Sequence, residues 1–216
     1  MLQTIEEKVD PANAALLVVD VQNDFCHDDG AFAQMGRDVT PIRSMVPRLQ
    51  RLIDSARDAG VPVIFLAYTL SEASESEVLV EQRSRGRAGL PYCREGTFGA
   101  ELYEIQAKPG EPVIPKRRYS GFIGTELDVI LRSRDRRTLV MTGIATNGCV
   151  EATARDGFMH DYYIVMVDDC CACYSAELHQ ATLTNCRDAW GVVSTSDELI
   201  SIWNAGAGAA DPGGAA

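Results

Sequence analysis

Four short apolar runs constrain this chain more than any other feature of it: Ala14 to Val19 (AALLVV), Pro62 to Tyr68 (PVIFLAY), Thr138 to Met141 (TLVM) and Tyr162 to Val167 (YYIVMV). Each is almost free of polar residues, the pattern of a strand buried on both faces. Weaker strands are expected at Glu111 to Pro115 (EPVIP) and Gly191 to Ser194 (GVVS). Between them, apolar residues recur at helical spacing. Ile42 to Ala59 forms one such segment, with Pro47 expected to bend or restart it. Thr125 to Arg134 sets Leu127, Ile130 and Leu131 on one face, and about Asn147 to Asp161 groups Val150, Ala154, Gly157 and Phe158. A fourth runs from Ala176 to Ala189. Strands alternating with helices imply right-handed parallel βαβ units. The expected fold is therefore α/β, a single-domain three-layer αβα sandwich around a mainly parallel sheet.

The 216 residues suit one such domain and are too few for two. Its expected extent is 1–204, followed by a disordered Gly/Ala-rich tail at 205–216 (AGAGAADPGGAA). The stretch from Ser71 to Gly110 is irregular and is expected to be a lid, an oligomer contact or a plain surface loop. A net charge of −11 repels phosphate backbones and anionic lipid, so neither nucleic acid nor membrane is an expected partner. No apolar run approaches the length of a spanning helix and the amino terminus lacks signal-peptide character, which points to the cytoplasm. Seven cysteines without even spacing read as reduced thiols.

In an open parallel sheet, ligands bind beyond the carboxyl ends of the strands. Three reactive groups sit there. Asp20 follows AALLVV, Lys116 follows EPVIP, and Cys149 comes shortly after TLVMTG. A carboxylate ending a buried strand needs a cationic or donor partner, which Lys116 could supply. A thiol in the first turn of a helix meets unpaired N–H groups that favour thiolate and could hold an oxyanion. Core packing would explain Cys149 alone; its conjunction with Asp20 and Lys116 favours chemistry.

The segments LLVVDVQNDFC (16–26), PKRRYSGFIGTELDVILRSR (115–134) and TGIATNGCVEATARDGF (142–158) resemble, in order and spacing, the three signature blocks of isochorismatase-like cysteine hydrolases. The second and third look most like those of the ureidoacrylate amidohydrolase branch. The resemblance implies that Asp20, Lys116 and Cys149 form a catalytic triad. It also implies that Ile144-Ala145 is a non-proline cis peptide, helping to aim the N–H groups of Ala145 and Cys149 as an oxyanion hole. Asn23, Phe25, Tyr119, Phe122 and Ile144 are then expected to bind substrate. Arg117 and Arg118 could hold a carboxylate or form a solvated basic turn, and Asn147 and Gly148 could shape the turn before the nucleophile.

Other features read as ordinary structure. Cys170, Cys171 and Cys173 lie after a buried strand without the paired spacing of a zinc site and read as core thiols. Asp156 and His160 are only two groups, and His27 reads as a loop residue. Where related nicotinamidases carry an Asp-x-His metal element, this chain has TLSEASESE, so neither metal nor other cofactor is expected. The expected function is a cysteine-dependent amidohydrolase cleaving the C–N bond of a small amide or ureido (N-carbamoyl) compound, assembled as a homodimer or homotetramer. The alternatives are isochorismatase-type hydrolysis of a vinyl ether, which Cys149 argues against, and a thiol-based redox or metal-responsive binding protein.

Overall fold

The computed structural model describes residues 1–85 and 89–209. The strands are β1 (Ala14–Val19), β2 (Val63–Tyr68), β3 (Val113–Lys116), β4 (Thr138–Ile144), β5 (Tyr163–Ala172) and β6 (Val192–Ser194). They form one sheet in the order β3-β2-β1-β4-β5-β6, with every pairing parallel. The helices are α1 (Ile5–Val9), α2 (Asn23–Cys26), α3 (Ala31–Gln34), α4 (Thr40–Asp58), α5 (Glu77–Ser84), α6 (Leu127–Ser133), α7 (Glu151–Met159), α8 (Ala176–Asn185) and α9 (Ser196–Ala209).

The side chains of β1 explain why helices cover both faces. Ala14, Leu16 and Val18 enter one apolar cluster with Val140, Val165 and the α4 residues Leu49, Leu52 and Ile53. Ala15, Leu17 and Val19 alternate into a second with Met141, Ile164, Leu131 and Ala154. Helix α4 buries Ile42, Met45, Val46, Leu49, Leu52, Ile53 and Ala56, a stripe at the helical period. It ends where Gly60 takes a φ of 78°, with Gly60 N–H bonded to Arg57 O and Val61 N–H to Ala56 O. These two bonds form a Schellman cap. Pro47 neither breaks nor restarts the helix. Its ring lies on the exposed side, where water can satisfy the carbonyl left without an amide partner.

Several boundaries depart from the sequence reading. Strand β5 continues to Ala172, so Cys170 and Cys171 belong to the strand and do not follow it. Phe158 is 45% exposed and leaves the face formed by Val150, Ala154 and Gly157. At Gly157 α7 presses so closely on the sheet that an added Cβ would come within 2.6 Å of Leu139. Helix α9 passes the expected boundary at 204 and runs to Ala209; the remainder of the expected tail lies outside the described residues. The 71–110 stretch contains α5 and short 3-10 turns at Glu72–Ser74 and Phe98–Ala100.

That stretch folds back onto the segment following β1. The buried Gln22 amide donates to Tyr68 O at 2.9 Å and Ala100 O at 2.8 Å, and accepts from Tyr68 N–H at 2.8 Å. Asn23 donates to Phe98 O at 2.8 Å. Amide side chains thereby satisfy backbone groups that this irregular segment would otherwise leave buried and unpaired.

Candidate active site

Strand register brings the expected catalytic residues together. Val19 pairs with Leu66 and with Gly143, while Tyr68 pairs with Lys116, so β1 to β4 end along one rim of the sheet. Asp20 is the first residue past β1, with a φ of 53°, a left-handed conformation that Asp adopts more readily than most residues. Its amide donates to Leu66 O at 2.9 Å. Lys116 is the last residue of β3, inside the strand and not beyond it, and its side chain has no exposed surface. Its Nζ lies 2.8 Å from Asp20 Oδ2, donates to Arg118 O at 3.1 Å, and sits 4.8 Å from the centre of the Tyr68 ring.

Cys149 reaches the same place from β4. At Gly143 the backbone has a φ of 106°, and an added Cβ would lie 2.0 Å from Val19 O, so only glycine allows β4 to run this close to β1. The Ile144–Ala145 peptide is cis. A π-helical turn, Thr146–Val150, then carries Cys149 into α7. Thr153 anchors the turn by donating to Cys149 O at 2.7 Å and accepting from Gly121 N–H at 2.9 Å, which ties the segment after Lys116 to the helix that follows Cys149.

Burial raises the Asp20 carboxyl above its ordinary range, with the Lys116 charge and contacts to Cys149 and Lys116 opposing. For Lys116 burial works the other way, but Asp20 and Cys149 outweigh it and the ammonium is held above its usual value. The Cys149 thiol is pushed up by burial and then by Asp20, with Lys116 only partly compensating. Burial and the carboxylate thus work against the first-turn N–H groups, which favour thiolate. Desolvation and a facing carboxylate both favour the neutral thiol at rest.

Asp20 and Cys149 line a cavity of about 350 Å³. Phe25, Tyr119, Ile144, Ala145, Asn147 and Gly148 also line it, as expected or weighed from sequence. Asn23 and Phe122 do not. Asn23 spends its amide on Phe98 O, and Phe122 stacks on His160 with ring centres 4.9 Å apart. Arg118 turns to Ser74 O and its neighbour's carbonyl, and neither it nor Arg117 reaches the cavity wall. Burial raises Cys171 and pushes Cys170 up to about 12, which suits core thiols. His27 packs edge-on against Phe98 and Tyr103. Among the described residues no group of three or more His, Cys, Asp or Glu is gathered as a metal site.

Two arginines on the wall escaped the sequence reading. The Arg37 guanidinium lies 5.3 Å from the Tyr174 ring centre, and that of Arg83 lies 5.9 Å from the centre of Tyr92. Arg83 and Arg94 share the single carboxylate of Glu75, leaving one surplus positive charge. Arg83 Nη1 is buried without a hydrogen-bond partner among the described residues. The run RSRGRAG, basic in an acidic chain, was the available signal for Arg83; Arg37 stands alone and gives none.

The isochorismatase domain model matches residues 14–198, from β1 into α9. The chain belongs to the isochorismatase family. This family member is 36% identical over 203 residues to the ureidoacrylate amidohydrolase RutB of Variovorax paradoxus, covering 88% of this chain and 81% of that one. Among solved structures it superposes on a cysteine hydrolase from Pseudomonas syringae pv. phaseolicola with a TM-score of 0.80 at 27% identity, covering 92% and 95% of the two chains. The N-carbamoylsarcosine amidase of Thermoplasma acidophilum gives a TM-score of 0.70 at 28% identity, with 86% and 97% covered. The isochorismatase-family sheet and its helical layers are therefore shared along most of the chain.

Proposed function

We propose that this isochorismatase-family protein is a cysteine-dependent amidohydrolase acting on the C–N bond of a small ureido or amide acid. The observation that carries the reading is the buried Lys116–Asp20 pair beside Cys149 at one end of a cavity. Asp20 accepts the Cys149 proton as sulfur attacks the carbonyl carbon, with Lys116 holding the carboxylate ionised. The N–H groups of Ala145 and Cys149 receive the developing oxyanion. As the C–N bond breaks, Asp20 returns the proton to the leaving amine, and water then hydrolyses the thioester. The names of the relatives, a ureidoacrylate amidohydrolase and an N-carbamoylsarcosine amidase, support a ureido substrate. The wall arginines support a carboxylate on it, since guanidinium groups suit carboxylates and no acidic residue except Asp20 is among the described cavity-lining residues.

Phe25, Tyr119 and Ile144 form apolar wall. Seven free cysteines support a reducing, cytoplasmic setting, and no described helix is long and apolar enough to cross a membrane. Exposed Phe158 and Met159 border a second groove and support a homodimer or homotetramer, which light scattering would resolve. The functional test is ammonia release from a panel of ureido acids and simple amides. Turnover of a ureido acid that disappears in Cys149→Ala and Cys149→Ser, with an unchanged circular dichroism spectrum, is the expected result. Turnover surviving in Cys149→Ala would overturn the covalent mechanism.

A further inference from the structure

Of the residues from Ala145 to Cys149, Thr146 alone does not line the cavity. Its side chain is buried on the far side of the turn, with Oγ1 at 2.9 Å from Nδ1 of His179 on α8. The other ring nitrogen, Nε2, lies 2.9 Å from Oδ1 of Asp168 on β5. A carboxylate only accepts, so Nε2 carries a hydrogen. In the neutral ring Nδ1 is then the acceptor, and the Thr146 hydroxyl must donate to it. The hydrogen bonds run in one direction, from the nucleophile's turn through the imidazole to the carboxylate.

We infer that Asp168, His179 and Thr146 form a positioning relay that sets the nucleophile turn, and with it the Cys149 sulfur and the N–H groups of Ala145 and Cys149. The inference rests on Cys149 being the nucleophile. None of the three residues lines the cavity; they act through the turn. Asp20 and Lys116 approach the thiol from the strand ends, whereas the relay holds the backbone bearing it from behind. The relay also fixes the cavity wall, because Ser175 and Leu178, at the start of α8, line the cavity.

A tether for α8 alone would not need the bond to Thr146. Thr182 Oγ1 donates to Glu151 Oε2 at 2.6 Å and Leu183 is fully buried, so α8 has its own anchors. What the Thr146 bond adds is control of the first residue of a turn whose next three residues, Asn147, Gly148 and Cys149, line the cavity. Misplacing reacting atoms by about an ångström can lower a rate by roughly a hundredfold.

The test compares Thr146→Val, Thr146→Ser, His179→Asn and His179→Gln in the full chain. Readouts are kcat, KM, the melting curve, and iodoacetamide alkylation of Cys149 followed by mass spectrometry of its peptide. The Asn amide can occupy the place of Nδ1 and keep a partner for Thr146; the longer Gln amide reaches the place of Nε2 and keeps only Asp168. Expected are a kcat loss of roughly a hundredfold in Thr146→Val and His179→Gln with KM within about threefold, slowed alkylation, and substantial recovery in Thr146→Ser and His179→Asn. Folded Thr146→Val with kcat and alkylation within twofold of the native protein would overturn the relay, as would equal kcat in His179→Asn and His179→Gln. If Cys149→Ala abolishes turnover while Thr146→Val is unaffected, the relay alone falls. If Cys149→Ala remains active, the nucleophile reading fails first and the relay falls with it.

Discussion

Lys116 has no exposed surface, and the carboxylate beside it is as deeply buried, so each charge depends on the other. To take the thiol proton, Asp20 must be ionised. Its carboxyl is raised by burial, so turnover should fail on acidification at a pH above the ordinary carboxylate range of about 4. Lys116 is the group that pulls this value back down. Lys116→Ala should therefore move the acid limb of kcat/KM to higher pH as well as lower the maximum, and a limb at unchanged pH would refute the coupling. Asp20→Asn should lose nearly all turnover, and the double variant should be little worse than either single one, because the two act as one unit. Losses that multiply would mean independent roles. Arg83 offers a separate test at this scale. A charged hydrogen bond contributes about 2 kcal/mol, or about thirtyfold. Arg83→Gln should lower kcat/KM by that order for a ureido acid and leave the corresponding neutral amide unchanged; equal losses would remove the carboxylate role.

The approach of β4 to β1 is the most demanding contact between elements. Gly143→Ala would place a methyl group against the Val19 backbone at a φ unfavourable to alanine. Destabilisation of at least about 2 kcal/mol is expected from strain and overpacking together, read as a lower urea midpoint and accompanied by lost turnover. A variant as stable as the native protein would show that β4 can shift. The elements were legible in the sequence where burial imposed a pattern: β1, β2 and the centre of β4 and β5 are apolar because helices cover both faces. Asp20, Lys116 and Cys149 were legible because parallel strands deliver their ends to one rim. Asn23 and Phe122 do not line the cavity, because proximity in sequence to such an end does not fix where a side chain turns; Asn23 serves the backbone of the 71–110 stretch, and Phe122 stacks on His160. Thr146, His179 and Asp168 meet from three elements, and nothing in their spacing announces it.

For the whole molecule, the placement of the three histidines governs what metal could do. His27 packs against Phe98 and Tyr103, His160 lies on Phe122, and His179 is engaged between Thr146 and Asp168. They cannot converge on one ion without unmaking separate parts of the fold. Dialysis against a strong chelator should leave kcat/KM unchanged, and a loss restored by zinc or iron would refute this. The strand order also has a consequence during synthesis on the ribosome. β1 emerges first, yet lies at the centre of the sheet between β2 and β4. Until the nascent chain has extended through β4, one hydrogen-bonding edge of the AALLVV segment has no native neighbour and the helices α6 and α7 cannot yet shield it. An unpaired apolar edge invites pairing with another chain. In a nascent chain that has not yet reached β4, the AALLVV segment is thus open to pairing with another chain until the second half of the sheet arrives.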